Sequence, residues 1–386
     1  MLALAFLLGC FAVAYARVHH LIVGNLDLPA SLYVLEFDDQ SLDFRIVSNN
    51  TAESSHAWIT FGHTRDTIYG ASLNSSKTSQ YELELTANKS SLHLVNSAPN
   101  CGDLTSAYVI AASQRAPYDV YSVAWEGPNV CGTAFSSSLS PNTTASTSWT
   151  YSEESGVHGL ALAFNDTVLY SADLTENSIW THRIADGSGE DGKGNGNVGQ
   201  VEQVGRLQLQ EGLGPRHLVV HPTGLYLHVI METANELFTF DLDETTHEPG
   251  RAVSVWNFLP GEASVSDYWA AEVALSPNGR YLWVSSRARE EADPGYLAAF
   301  LLSEEGYVER RMFTVPTTTL GGSANSVAPA PWSDEIVAMT DFGTGYVQIW
   351  QMSEPREPGP GFQTAEAVAR VDIADGGCCA NAIWYD

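Results

Sequence analysis

The chain has 386 residues, 46 of them acidic and 18 Lys or Arg, for a formal net charge of −28. Only three lysines occur, Lys77, Lys89 and Lys193, so the composition argues against a nucleic-acid partner, which needs a basic face to meet phosphates. Abundant Gly, frequent aromatics and the lack of good helical stretches point to many short strands and tight turns, and the acidity reads as solubility.

The N-terminal run from Met1 to Ala16 is apolar and ends in Ala14-Tyr15-Ala16, a small-x-small pattern that predicts a signal peptide over 1–16 with the mature chain starting at Arg17. It is short for a membrane span, and no later run is long enough, so no membrane association is expected after cleavage. An N-terminal strand or an anchor is the alternative. Glycosylation sequons begin at Asn49, Asn74, Asn88, Asn142 and Asn165, which agrees with a secreted or extracellular protein. Their crowding into the first half suggests that one face carries the glycans.

Strands are expected at His20–Gly24, Leu32–Phe37 and from Phe44, then from His56, from Ile68 and from Tyr108. The Ser/Thr-rich stretch Ser136 to Ser148 reads as a loop. From His158 the pattern sharpens. Arg216-His-Leu-Val-Val-His-Pro-Thr-Gly-Leu-Tyr-Leu-His-Val-Ile-Met-Glu232 is an alternating strand, a Pro/Gly turn and a second strand. Ala271-Glu-Val-Ala-Leu-Ser-Pro-Asn-Gly-Arg-Tyr-Leu-Trp-Val-Ser-Ser-Arg287 repeats it. The same unit starts at His158, looser copies start at His56 and Asn325, and the unit recurs at roughly 50–56 residues, the spacing of propeller blades. Asp186 to Asn197 alternates acids with glycine but lacks the spacing of an EF-hand, so it reads as a connecting loop. The last segment, Asn381 to Asp386, has the pattern of a first blade strand without a partner. The prediction is all-β: a seven-bladed propeller of four-stranded antiparallel blades over 17–386, one domain, its ring closed by the C-terminal strand.

Four cysteines follow the leader and allow three pairings. Cys101–Cys131 is the expected disulfide, leaving Cys378 and Cys379 as a vicinal pair or free thiols. No Cys or His motif completes a zinc set, so neither a metal nor another cofactor is expected.

In such a hairpin the start of the first strand and the end of the second share an edge. His158 and Arg216 start first strands; Glu232 and Arg287 end second strands. All four should therefore meet at one mouth of the central channel, with His56, Asn325 and Asn381 as further possible members of the ring. Arg binds carboxylates through two parallel donors, so Arg216 and Arg287 suggest a small polycarboxylate substrate. His158 and Glu232 are suited to proton transfer. Structural readings stand beside these: His158 bonded to a loop carbonyl, an Arg216–Glu232 pair within one hairpin, and Arg287 paired with Glu290.

At these residues the chain resembles the fungal 3-carboxy-cis,cis-muconate lactonizing enzyme (carboxy-cis,cis-muconate cyclase) family, within the lactonase-like seven-bladed propellers. The likeness rests on Tyr170-Ser-Ala-Asp-Leu-Thr, Trp180-Thr-His-Arg, His221-Pro-Thr-Gly, Pro331-Trp-Ser-Asp-Glu and Asn381-Ala-Ile-Trp-Tyr-Asp. It implies a cofactor-free isomerase that closes 3-carboxy-cis,cis-muconate to carboxymuconolactone. The family's His, two Arg and Glu fall on His158, Arg216, Arg287 and Glu232. The family's Gly-Gly-His-Ser-Asn is here Gly321-Gly-Ser-Ala-Asn325, and Gly214 replaces the His before Pro-Arg. With its leader and sequons, the chain resembles the family's secreted glycoprotein branch, which implies cell-wall association and leaves a non-catalytic surface role or a sugar-lactone hydrolase as alternatives.

Overall fold

The computed structural model describes residues 17–86, 89–113, 118–136, 139, 146–185, 199–290, 293–320, 326–353 and 364–385. The expected leader, the Asp186–Asn197 loop, and Asn88, Asn142 and Asn325 lie outside these residues.

Seven four-stranded antiparallel sheets form the blades of a propeller. The blades are numbered here from the N-terminus, and their strands run from inner to outer. The inner strands are Cys378–Trp384 for blade 1, then Trp58–Phe61, Ser106–Ala111, Val157–Ala163, Pro215–Val220, Tyr268–Leu275 and Val327–Pro329 for blades 2 to 7. Blade 1 is closed as the sequence suggested: Cys378–Trp384 pairs with Val18–Asn25 through Leu21↔Trp384, Ile22↔Ile383 and Val23↔Ala382. This joins the chain ends within one sheet and leaves the ring without a free edge at that point.

Strand composition follows depth. Every residue of Tyr281–Ala288, the second strand of blade 6, is buried, because blades pack against both of its faces; alternation gives way to the apolar run Tyr281–Val284, followed by buried Ser285, Ser286 and Arg287. The outer strands Phe44–Thr51 and Val201–Gln208 are the most exposed of their blades and mix polar with apolar residues. The inner hairpins of blades 5 and 6 turn at Gly224 and Gly279, with φ of 75° and 68°, where a side chain would be strained. Their amides bond back to the His221 and Ser276 carbonyls at 2.8 and 2.9 Å. One expectation is corrected: Ser146–Thr150 is the outer strand of blade 3, so the loop predicted to reach Ser148 ends earlier. The polar sequence there suits an outer strand, which needs only one apolar face.

Cys101–Cys131 forms as predicted and ties the turn after blade 2 to the third strand of blade 3, and Cys378 and Cys379 are bonded to each other. The described sequon asparagines, Asn49, Asn74 and Asn165, are all exposed. They do not share a face. Asn74 follows the second strand of blade 2, on the edge where inner strands begin, whereas Asn165 lies in the first hairpin turn of blade 4, at the opposite edge.

Candidate active site

Inner strands enter the ring at one edge, and second strands leave at the same edge, so seven strand starts and seven strand ends converge there. A cavity of about 180 Å³ opens among them. Blades 4 to 7 supply His158, Arg216, Glu272, Arg287 and Ser326; blades 1 to 3 supply mainly apolar groups, including Leu26, Trp58, Leu73 and Trp125. One half is thus charged and the other apolar.

A local backbone device makes this possible. The inner-strand registers of blades 3, 4, 5 and 6 each shift at the mouth, between Ser106/Tyr108, Val157/Gly159, Pro215/His217 and Ala270/Glu272. The extra residues are Ala107, His158, Arg216 and Ala271. A bulge breaks the strict in–out alternation and re-aims side chains, so Arg216 and His217, though adjacent, both reach the site.

Two polar assemblies result. In the first, Glu232 Oε2 lies 2.9 Å from Arg216 Nε and 3.0 Å from Arg287 Nη2. Arg216 also donates to the Ala271 carbonyl. Both arginines are 8% exposed. Burial, then the neighbouring Arg216 charge, lowers the Arg287 pKa to about 10. In the second, His158 Nδ1 is 3.0 Å from His217 Nε2, and His217 Nδ1 is 3.0 Å from Glu272 Oε1. Desolvation, followed by the positive charge of Arg216, holds both imidazoles well below their usual range. Desolvation pushes the Glu272 carboxyl up to about 8, against the opposing influence of Arg216, the Val273 amide and Ser326. Trp125 meets the His158 ring edge-on at 4.6 Å, and Trp58 and Tyr108 flank His217 at 4.8 and 5.2 Å.

The four residues chosen from the sequence do gather at one mouth, but not in equal roles. His158, Arg216 and Arg287 line the cavity. Glu232 is held between the two arginines as their shared counter-ion, and of the two residues expected to transfer protons His158 is the one that lines the cavity. The hairpin pair Arg216–Glu232 is real, while Arg287 turns to Glu232 rather than Glu290. His56 is not a ring member: it is fully buried, its Nε2 lies 2.7 Å from the Tyr81 hydroxyl, and its ring packs against Gly70. Asn381 reaches the cavity, yet its amide is held by Ile59, accepting from the backbone N–H at 2.8 Å and donating to the carbonyl at 2.9 Å. His217, Glu272, Trp58 and Trp125 were missed. The doublets Arg216-His217 and Ala271-Glu272 at one repeat position were the available signal. Among the described residues no group of three or more His, Cys, Asp or Glu side chains could hold a metal ion.

Residues 20–319 match the family model of the seven-bladed β-propeller lactonases. The chain belongs to this lactonase family. It is 32% identical to the carboxy-cis,cis-muconate cyclase of Neurospora crassa, over 96% of this chain and 100% of that protein. It is 28% identical to muconate cycloisomerase 1 of Cutaneotrichosporon cutaneum over 50% of each chain. The periplasmic gluconolactonase of Pseudomonas aeruginosa has the same fold, with a TM-score of 0.75 at 15% identity, covering 95% of this lactonase-family chain and 99% of that one.

Proposed function

We propose that this protein is a secreted lactonizing isomerase that closes 3-carboxy-cis,cis-muconate to carboxymuconolactone without a cofactor. The observation that carries the reading is the convergence of Arg216, Arg287 and His158 on one small cavity, in a chain similar over nearly its whole length to a protein named for that reaction. Arg216 and Arg287 would bind two substrate carboxylates, and the apolar wall of Trp58, Trp125 and Leu73 would hold the diene. Curling the flexible trianion in place removes orientational entropy before the chemical step. A substrate carboxylate oxygen then adds to the alkene, and the electron pair moves towards the neighbouring carbon and its carboxylate. The guanidiniums stabilise that growing charge, and His158 delivers the proton to carbon through Nε2, since Nδ1 is engaged by His217.

Loss of the diene ultraviolet absorbance on adding pure protein tests the activity directly; unchanged absorbance from pH 5 to 9 would overturn it. Arg216→Ala should lower kcat/KM by ~10²–10³-fold, the range for removing one pre-set donor from a developing anion. The leader pattern, the exposed sequons and the two disulfides support secretion as a glycoprotein with residues 17–386 as one domain, since disulfides persist outside the reducing cytosol. A mass decrease on endoglycosidase treatment of material recovered from the medium or wall fraction would support this placement.

A further inference from the structure

The proposed reaction consumes a proton at carbon, and His158 alone is a poor reservoir because the site keeps it neutral. Behind it stands a chain of ionisable groups that the lactonizing chemistry, as set out so far, does not use. His158 sits on blade 4, His217 on blade 5 and Glu272 on blade 6, linked by two 3.0 Å contacts. We propose that His217 and Glu272 form a proton relay behind His158, with Glu272 as the store; this rests on the lactonizing reading above.

Before reaction, Glu272 is a neutral acid whose O–H points at His217 Nδ1, and each imidazole carries its proton on Nε2. As the new C–H bond forms, the His158 Nε2–H bond breaks. His158 Nδ1 takes the proton of His217 Nε2, and His217 Nδ1 takes the proton of Glu272. After product leaves, a solvent proton enters at His158 Nε2 through the open cavity, and the relay runs back: His158 Nδ1–H returns its proton to His217 Nε2, and His217 Nδ1–H returns its proton to Glu272. Both rings change tautomer and neither becomes a cation, so no added positive charge is created beside Arg216 and Arg287.

The surroundings fit the store. Glu272 is 4% exposed, and a carboxylate there would lack hydration. Around it stand Arg216 and His217 on blade 5, Tyr108 on blade 3 and Ser326 on blade 7, with Arg287 also on the cavity wall. Arg216 Nη1 is 3.4 Å from His217 Nδ1, so a fixed positive charge faces that nitrogen and disfavours an imidazolium there. Glycine is required where the first two members meet: a Cβ at Gly159 would lie 2.5 Å from the Arg216 carbonyl and 3.0 Å from His217 Cα.

The test compares wild type, Glu272→Gln, Glu272→Asp and His158→Gln with 3-carboxy-cis,cis-muconate as probe. Loss of the stored proton should reduce kcat of Glu272→Gln by ~10²-fold or more, the usual worth of general acid catalysis, with KM changed less than about threefold. The fall in kcat near pH 8 should vanish in Glu272→Gln, and Glu272→Asp should recover part of the rate. Wild-type rate and pH profile in Glu272→Gln, with His158→Gln inactive, would overturn the relay and leave the reaction standing. If wild type itself turns nothing over, the reaction reading fails, and nitrogen-15 NMR of labelled histidines decides the relay alone. It expects both rings neutral with the proton on Nε2 at pH 7, and a change at His217 near pH 8 that Glu272→Gln abolishes. An imidazolium or an Nδ1–H tautomer at His217 at pH 7 overturns it.

Discussion

At the scale of single residues, the clearest division is between groups that face the cavity and groups that hold them. Glu232 belongs to the second kind. Its Oε2 is shared by two guanidiniums at 2.9 and 3.0 Å, and without it two buried cations would face each other. Glu232→Gln should therefore destabilise the fold by ~3 kcal/mol in urea unfolding, the range for breaking a buried pair from one side. A dicarboxylate ligand can replace the missing counter-charge. Substrate or product should consequently raise the melting temperature of Glu232→Gln more than that of wild type, by linkage of binding to folding. Equal ligand shifts would show that Glu232 does not act as the counter-ion. The sequence located this carboxylate at the right mouth but could not show that both arginines would turn to it, because that depends on side-chain reach between blades. His217 was hidden for a different reason: regular alternation assigns it to the face opposite Arg216, and only the bulge brings both to the site.

At the scale of elements, the repeated hairpin was legible where a Pro/Gly turn separates two alternating runs, as in blades 5 and 6. It was faint in blade 3, whose third strand is tied by a disulfide to the turn after blade 2 and whose outer strand is polar. The similarity between a His at the start of blade 2 and one at the start of blade 4 misled, since their strands differ. Blade 4 shifts register at His158, whereas Trp58–Phe61 pairs with Ile68–Ala71 without a shift. Blade 2 instead buries His56 against Tyr81 and offers Trp58 to the cavity. The bulges are thus the elements that set the site, and their packing tolerates little. Gly159→Ala places a methyl group against two backbone atoms of blade 5, which cannot rotate away. Overpacking of this kind costs ~1–3 kcal/mol. Because the strand displaced carries both Arg216 and His217, kcat/KM should fall by ~10-fold or more. An equally destabilising substitution away from the mouth, Val34→Ala in the third strand of blade 1 for example, should leave it within about twofold. Urea unfolding and the diene assay on both variants provide the comparison, and equal activity losses would mean that the Gly159 contact does not position the site.

At the scale of the whole molecule, the ring buries titratable groups in numbers that make stability depend on pH in a defined way. His56, His182 and His228 are fully buried and desolvation lowers them to about 4, 4 and 3; His158 and His217 move in the same direction. For each, the unfolded chain binds a proton that the fold refuses, so stability is intact above the ordinary histidine value and is lost as pH falls from about 6.5 towards 4. Glu272 has the opposite sign. Raised to about 8, it keeps its proton in the fold while the unfolded carboxyl ionises, so its contribution is lost as pH rises from about 4.5 to 8. Five groups outweigh one below pH 6.5, and Glu272 acts alone above it, which places maximum stability near ~pH 7. Each refused proton is worth up to ~1.4 kcal/mol per pH unit. The formal charge of −28 adds self-repulsion that grows with pH, and salt near 0.5 M screens it. Under those conditions urea unfolding from pH 4.5 to 9 should show a steep acid limb and a shallow alkaline one. Glu272→Gln should abolish the alkaline limb and leave the acid limb in place. An acid limb shallower than one proton would mean that the ring lets water reach these histidines, and an alkaline limb that survives the substitution would assign it to another group.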